Sequence, residues 1–260
     1  MQRLLVTGGC GYLGREVVRR APNRDWTVRA TWFERPPNGD AEWVRADLRD
    51  PAAALQAVAG VDAVIHTAYR QGGDEWEANV LGTAAVSEAA RGLRLVHLST
   101  DLVFDGRRGR YREEDATAPV SSYGRSKAEA ERMAMDIHGQ ATVARTSLIY
   151  GGAEPGAQEL LAAEGTRFFV DEIRSPVQVG DLADALLELL EMDIHGVLHL
   201  GGADDLSRFD FAVLLGADPG RIEAAHTTPD RAPDVSLDSS RAAGLLRTRL
   251  RGAYEVLSGS

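Results

Sequence analysis

Short apolar runs alternate with amphipathic stretches through the first 150 residues of the chain. The apolar runs predict strands, and the stretches between them repeat their apolar positions at helical spacing. The predicted strands cover residues 3–7, 27–32, 42–45, 61–66, 93–98 and 142–149, and the predicted helices cover 15–20, 51–59, 75–91 and 122–138. Strands that alternate with helices in this way predict an α/β fold, with a parallel sheet covered by helices on both faces.

The pattern loosens after residue 150, where glycines and prolines interrupt the chain. We predict a helix over 157–164, a strand over 167–171, an amphipathic helix over 181–192 and a strand over 197–200, followed by a small helical lobe. A domain that binds the cofactor is therefore expected over 1–150, and a substrate-binding lobe that contributes to the sheet over 151–260. The apolar stripe of the 181–192 helix belongs to the core or to the interface of a homodimer.

The composition narrows the class of protein. The chain has 260 residues, with 39 Asp and Glu against 29 Lys and Arg, and a formal net charge of −10. Such an acidic chain, without a block of basic residues, is a poor partner for the phosphate backbone of a nucleic acid. No apolar run approaches the roughly 18 residues of a membrane helix, and glycines follow the first strand too early for a signal peptide. We expect a cytoplasmic protein that acts on a small molecule and binds neither nucleic acid nor a membrane.

Metal and disulfide sites are not expected. Cys10 is the only cysteine, and no two histidines have the spacing of metal ligands. His66, His97 and His199 lie on apolar strands, so we expect them to be core histidines with hydrogen-bonded rings.

A glycine loop follows the first strand and opens a helix. Gly8, Gly11 and Gly14 are spaced three residues apart within 7–14. Glycine allows the tight turn, the approach of the backbone to a diphosphate and the close packing of helix on strand. With Tyr12 and Leu13 at the start of the helix, this loop predicts a dinucleotide site in a doubly wound Rossmann sheet. The alternative is a glycine-rich turn that binds nothing.

The end of the second predicted strand bears on which dinucleotide is bound. No carboxylate stands at its tip, where one would hold the ribose 2′-hydroxyl of NAD. Arg35 or Arg29 can pair with a 2′-phosphate instead, which favours NADP, while Glu34 leaves NAD possible. Asp47 and Leu48 follow the third strand and are expected to contact the adenine.

Tyr123 and Lys127 carry the candidate chemistry. They lie four residues apart at the start of a predicted helix, so they share one face, and Lys127 is the only lysine in the chain. A nearby ammonium favours the phenolate and lowers the pKa of a tyrosine toward neutrality. The hydroxyls of Ser99 and Thr100, at the end of the fifth strand, can bond a substrate carbonyl beside a nicotinamide.

These motifs resemble those of the extended short-chain dehydrogenase/reductases. The segments that carry the resemblance are the glycine loop, residues 99–106, residues 119–131 and residues 145–151, and they look most like the dTDP-4-dehydrorhamnose reductase branch. The resemblance implies a reductase that acts on the carbonyl group of a nucleotide-activated keto sugar. Two alternatives remain: an epimerase or dehydratase that retains NAD, and a regulatory protein that binds NAD(P) without turnover.

The resemblance also implies roles for single residues. Thr100 would polarise the carbonyl, Tyr123 would deliver the proton, and Lys127 would tune Tyr123 and bind the nicotinamide ribose. The cofactor would also lie against Ser99 and the segment after the fourth strand, which comprises Thr67, Ala68 and Tyr69.

Substrate contacts are implied for Asp101 and Arg231, although an arginine between two prolines can equally pin its loop. Asn79 either braces the site or is an exposed helical residue. Similar reductases carry an aromatic residue at the position of Leu102 and often a tryptophan at that of Leu148, so the chain departs from the pattern where substrate would be contacted.

Overall fold

The computed structural model describes residues 2–34, 36–37, 39 and 41–258. The strands of its central sheet are β1 (Gln2–Thr7), β2 (Trp26–Trp32), β3 (Glu42–Arg45), β4 (Ala63–His66), β5 (Arg94–Thr100), β6 (Thr142–Thr146) and β7 (Gly196–Leu200). In this part of the chain they form a seven-stranded sheet in the order β7-β6-β5-β4-β1-β2-β3. The pairs β1–β2, β1–β4, β2–β3 and β4–β5 are parallel. The predicted α/β Rossmann fold is confirmed.

The α-helices connect these strands and fill the C-terminal part. They are α1 (Tyr12–Arg20), α2 (Pro51–Val58), α3 (Gly82–Ala89), α4 (Ser122–His138), α5 (Ala157–Glu164), α6 (Val179–Leu189), α7 (Arg208–Leu214), α8 (Ser240–Leu245) and α9 (Ala253–Leu257). A π-helical turn, Glu77–Leu81, precedes α3, and 3-10 turns cover Ala21–Arg24 and Asp101–Val103.

The structure contradicts one prediction in its strand pairing and another in the kind of element present. The strand predicted over 142–149 ends at Thr146, and Ile149–Tyr150 pairs with Val177–Gln178 instead. The C-terminal part is not purely helical, because Leu206–Ser207 pairs with Ile173–Arg174 and Glu223–Ala225 pairs with Arg167–Phe169.

The chain divides into two compact units, each made of three segments. One comprises Met1–Ser99, Arg125–Ala144 and Leu186–Val197, and the other comprises Thr100–Gly124, Arg145–Ala185 and Leu198–Ser260. The boundary expected at residue 150 separates a cofactor-binding part from a substrate-binding part, which the division into compact units does not test. It stays a prediction.

Apolar side chains of α2, α3 and α4 pack on the strands of the first unit. This cluster includes Leu5, Ala54, Val58, Val64, Val86, Leu95 and Ala134. On α6, Leu182, Leu186 and Leu189 have no exposed surface, so the apolar stripe of that helix belongs to the core, and the homodimer stays a prediction. Among the described residues, no helix is long and apolar enough to cross a membrane.

Candidate active site

A tight turn joins β1 to α1 and brings its glycines against the backbone of the protein itself. The N–H of Gly9 donates to the carbonyl of Thr31 at 2.9 Å, and the N–H of Gly11 donates to the carbonyl of Gly8 at 2.9 Å. Gly8 has a φ of +66°, and a Cβ on Gly14 would lie 2.2 Å from the carbonyl oxygen of Gly8. The close packing of helix on strand therefore requires glycine at both positions.

The start of α1 suits an anion. Its N-cap is Gly11, which offers no side-chain cap, and the first turn contains no acidic residue. The backbone N–H groups and the positive end of the helix dipole favour a phosphate there. Leu13 is buried and Tyr12 is half-buried at this end of the helix. The loop therefore fits the diphosphate of a dinucleotide, the role expected for it.

Two arginines, Arg35 and Arg29, were expected to lie near a 2′-phosphate, and the structure describes only Arg29. Arg35 lies outside the described residues. Arg29 donates to the carboxylate of Glu42 and to the carbonyls of Ala57 and Ala59. Its guanidinium is therefore already held by the protein.

Two further arginines lie beside the end of β2, and sequence reasoning missed them. The guanidinium of Arg45 lies 6.0 Å from the ring centre of Phe33, and that of Arg49 lies 5.7 Å from the same ring. Arg49 also donates to Asp47, and this hydrogen bond lowers the pKa of the Asp47 carboxyl. Leu48 packs on the core, so the adenine contacts expected of Asp47 and Leu48 stay predictions. In the sequence, Arg45 and Arg49 lie on either side of Asp47 and Leu48, and this position was the signal that could have indicated them.

Hydrogen bonds to Thr7 hold the segment that follows β4. The hydroxyl of Thr67 donates to the carbonyl of Thr7 at 2.7 Å, and the N–H of Ala68 donates to the Thr7 hydroxyl at 3.3 Å. The next residue, Tyr69, leaves 57% of its surface exposed. This segment is thus fixed by β1, and the cofactor contacts expected of Thr67, Ala68 and Tyr69 stay predictions.

Asn79 braces the same segment. It is buried in the π-helical turn, its Oδ1 accepts from the N–H of Arg70 at 2.7 Å, and its Nδ2 donates to the hydroxyl of Ser126 at 2.9 Å. Asn79 therefore ties the segment to α4 one residue before Lys127, and the exposed alternative is wrong.

The hydroxyls after β5 lie in different surroundings. Ser99 is buried, and its Oγ has no hydrogen-bond partner among the described residues. The hydroxyl of Thr100 donates to Asp101 at 3.1 Å and accepts from the N–H of Leu102 at 3.2 Å. Asp101 is buried, accepts from Ser147 at 2.6 Å, and has a raised pKa because of its burial. Asp101 therefore orients the hydroxyl of Thr100.

Helix α4 places Tyr123 one turn before Lys127, as predicted. Tyr123 is half-buried, whereas Lys127 is only 3% exposed. The Nζ of Lys127 donates to the carbonyl of Leu98 at 2.7 Å. Burial lowers the pKa of Lys127 to about 8, and the charge of Glu131 partly offsets this effect. The ammonium thus lies at the carboxyl end of β5, where ligands bind in such sheets.

Arg231 is held by a carboxylate. Its guanidinium donates to both carboxylate oxygens of the buried Glu172 and stacks on Phe169, 4.7 Å from the ring centre. This contact is the loop-pinning role, and the contact with substrate stays a prediction. Leu148 packs against a core cluster that contains Tyr150, so this side chain contributes to packing.

Over residues 1–241 the chain matches the family described as the RmlD substrate binding domain. The chain belongs to this family. The resemblance to dTDP-4-dehydrorhamnose reductases and their relatives is therefore confirmed.

Similar proteins cover nearly the whole chain of this RmlD family member. A probable dTDP-4,6-dihydroxy-2-methyloxan-3-one 4-ketoreductase of Streptomyces antibioticus is 33% identical, over 97% of this chain and 94% of the relative. A dTDP-4-dehydrorhamnose reductase of Mycolicibacterium smegmatis is 32% identical, over 98% of this chain and 84% of the relative. A crystal structure of the Bacillus anthracis dTDP-4-dehydrorhamnose reductase in complex with NADP has a TM-score of 0.82 at 22% identity, covering 100% of this chain and 98% of that one. This last likeness shows a shared fold.

The histidines of this family member differ in how their rings are bonded. Both ring nitrogens of His66 and of His199 have partners. For His97 the expectation of a fully bonded ring is wrong, because its Nδ1 is buried and has no partner among the described residues. The apolar pattern of β5 predicted that His97 is buried but gave no information on its bonding.

Proposed function

We propose that the chain is a reductase that uses NADPH, or NADH, to reduce a carbonyl group on a nucleotide-activated keto sugar. The observation that carries the proposal is the pair on α4: Tyr123 stands one turn before Lys127, whose ammonium is anchored by the carbonyl of Leu98 at 2.7 Å. The two relatives described above are named as reductases of dTDP-linked compounds, which supports this substrate class.

The side chains divide the work of proton transfer. The reduced nicotinamide supplies a hydride when it is bound. Tyr123 donates its phenolic proton to the carbonyl oxygen of the substrate, and the Lys127 ammonium stabilises the phenolate that remains. Without substrate, the hydroxyl of Thr100 donates to Asp101 at 3.1 Å. When substrate is bound, this hydroxyl rotates and donates to the same carbonyl oxygen instead.

The cofactor would be held by the loop between β1 and α1 and by the segment after β4. Gly8 and Gly14 keep the turn tight, and α1, which begins after Gly11, directs its free N–H groups toward the diphosphate. The guanidinium of Arg45, beside Phe33 at the end of β2, supports a 2′-phosphate and hence NADPH. The bound NADP of the Bacillus anthracis structure agrees with this choice.

Cofactor titration followed by turnover tests the proposal. We expect NADPH to quench the tryptophan fluorescence of the protein and to be oxidised when a dTDP-linked 4-keto sugar is added. Tyr123→Phe should bind NADPH and fail to oxidise it. No binding of either reduced cofactor refutes the proposal.

Other outcomes of this experiment point to the alternatives. Conversion of the sugar without net oxidation of the cofactor indicates an epimerase or dehydratase that retains NAD. Binding without turnover of any keto sugar indicates a regulatory protein. Light scattering of the same samples tests the expected homodimer.

A further inference from the structure

Two buried histidines lie beside Lys127. His66 is on β4 and His97 on β5, and their ring centres are 5.1 Å apart. The described residues place two acceptors at the Nζ of Lys127: the carbonyl of Leu98 at 2.7 Å and the Nε2 of His97 at 3.5 Å. The lysine ammonium therefore lies against an imidazole in a site from which water is largely excluded.

One protonation state of His97 fits this geometry. An ammonium donates hydrogens and accepts none, so the Nε2 of His97 must present its lone pair. Burial and the charge of Lys127 lower the pKa of His97 well below its usual range, so the ring is neutral and its hydrogen is on Nδ1. That N–H is buried and has no acceptor among the described residues, an arrangement that costs stability. The chain tolerates this cost beside its only lysine.

His66 cannot accept a hydrogen bond from Lys127 in the same way, because both of its ring nitrogens are already bonded. Its Nδ1 is bonded to the hydroxyl of Thr7 at 2.6 Å and its Nε2 to the hydroxyl of Thr83 at 3.1 Å. Of the two histidines, His97 is thus the one with a ring nitrogen turned to the lysine.

We propose that His97 is a positioning residue, whose neutral imidazole accepts a hydrogen bond from Lys127 and thereby holds the ammonium in place. The importance of this hydrogen bond for catalysis rests on the proposed function. The hydrogen bond itself, and its effect on the Lys127 ammonium, do not. Besides Tyr123, one turn earlier on α4, the titratable groups that act on this pair are His66 from β4 and Glu131 from the same helix as Lys127.

Loss of the acceptor should change the acidity of the lysine in a known direction. The ammonium form gains from the hydrogen bond and the neutral amine does not. The pKa of Lys127, about 8 in the native protein, should therefore fall when His97 loses its acceptor. Hydrogen bonds to charged groups have strengths that correspond to a shift of about one pH unit.

The single lysine makes this shift directly measurable. Protein labelled with 13C at the lysine Cε gives one lysine resonance, whose titration reports the pKa of Lys127 without any turnover. His97→Gln places an amide oxygen near the position of Nε2 and should keep the midpoint close to that of the native protein. His97→Leu has no acceptor, and the amide of His97→Asn is too short to reach Nζ. Both should lower the midpoint by about one pH unit.

Two controls separate this role from a structural one. His138→Gln replaces a half-buried histidine about three turns further along α4, at the end of that helix, and should leave the lysine resonance unchanged. In turnover, the alkaline limb of the kcat profile should move to lower pH for His97→Leu and His97→Asn and stay in place for His97→Gln. Circular dichroism checks that each variant is folded. If His97→Leu is not folded, the comparison of His97→Asn with His97→Gln is sufficient.

The results separate this inference from the proposed function. Equal midpoints in all variants, or a shift in His97→Gln as large as that in His97→Leu, overturn the inference even if the protein reduces keto sugars. The expected shifts in a protein without reductase activity support the contact and count against the proposed function alone.

Discussion

Gly14→Ala tests the packing of α1 on the loop before it. A Cβ at this position would lie 2.2 Å from the carbonyl oxygen of Gly8, 2.9 Å from its carbonyl carbon and 3.1 Å from the Cα of Gly9. All three are backbone atoms of a tight turn, so none can rotate away as the end of a side chain can. Ordinary contact begins at 3.4 Å, so the helix and the loop must separate by about 1.2 Å (3.4 less 2.2).

This displacement sets the expected magnitude. Overpacking a rigid interior costs about 1–3 kcal/mol, and an obstacle made of backbone puts this substitution at the upper end. A loss of about 3 kcal/mol corresponds to a fall in Tm of roughly 6–12 °C for a chain of this size. The same movement displaces the N–H groups proposed to hold the diphosphate. Losing one charge-assisted hydrogen bond should raise the Kd for NADPH about tenfold or more.

Thermal unfolding and NADPH titration measure the two effects, and other glycines supply matched controls. A Cβ on Gly11 would lie 3.1 Å from the same oxygen, so Gly11→Ala needs a shift of a few tenths of an ångström and should cost less. In α8, a Cβ on Gly244 would meet no atom of the described residues within 4 Å outside its own stretch of helix, so Gly244→Ala should leave stability unchanged or raise it by up to about 1 kcal/mol. If Gly14→Ala unfolds like Gly244→Ala and binds NADPH with native affinity, the packing argument is wrong.

Three further substitutions test other parts of the structure. Tyr123→Phe should lower kcat about 10²–10⁴-fold without changing the Kd for NADPH, because it removes only the proton donor, and an unchanged kcat would contradict this role. His66 has an ordinary pKa of 6.5 that burial lowers to about 3, so the unfolded chain binds a proton that the native protein excludes, and stability falls as the pH drops between these values. Urea titrations at several pH values in that window give the free energy of unfolding as a function of pH. In His66→Gln the slope of this dependence should be smaller by up to about 1.4 kcal/mol per pH unit, and an unchanged slope would mean that the native ring takes up the proton. Arg231→Gln should lower the free energy of unfolding by about 1–3 kcal/mol without substrate, because the buried Glu172 loses the two hydrogen bonds that the Arg231 guanidinium donates; a raised KM at unchanged urea midpoint would indicate a substrate contact instead.

Features set by neighbouring residues could be predicted from the sequence. The strands β1 and β4 are buried runs in a parallel sheet, and such strands have near-continuous apolar sequences. The loop from Gly8 to Gly14 has its glycines where tight backbone contacts require them. Tyr123 and Lys127 share a helix, so their spacing alone placed them on one face.

Features that depend on distant residues could not be predicted in this way. The apolar run over 142–149 does not show that β6 ends at Thr146, because the pairing of Ile149–Tyr150 depends on Val177–Gln178. The contact of His97 with Lys127 joins residues 30 apart, and that of Arg231 with Glu172 joins residues 59 apart. Hydrophobic periodicity reports burial, whereas the partner of a buried polar group depends on the tertiary packing.

The surroundings of Lys127 account for its identity. Of the 29 Lys and Arg residues in the chain, 28 are arginines, so lysine at this one position calls for a physical reason. The described residues offer Nζ two acceptors, the carbonyl of Leu98 and the ring of His97. A guanidinium has five N–H donors in a rigid plane, and these two groups can accept at most three, so at least two donors would be left buried without an acceptor, and it would stay charged at any working pH. The compact ammonium of lysine suits so small a set of acceptors, and its pKa, about 8 here, leaves its charge responsive to the imidazole beside it.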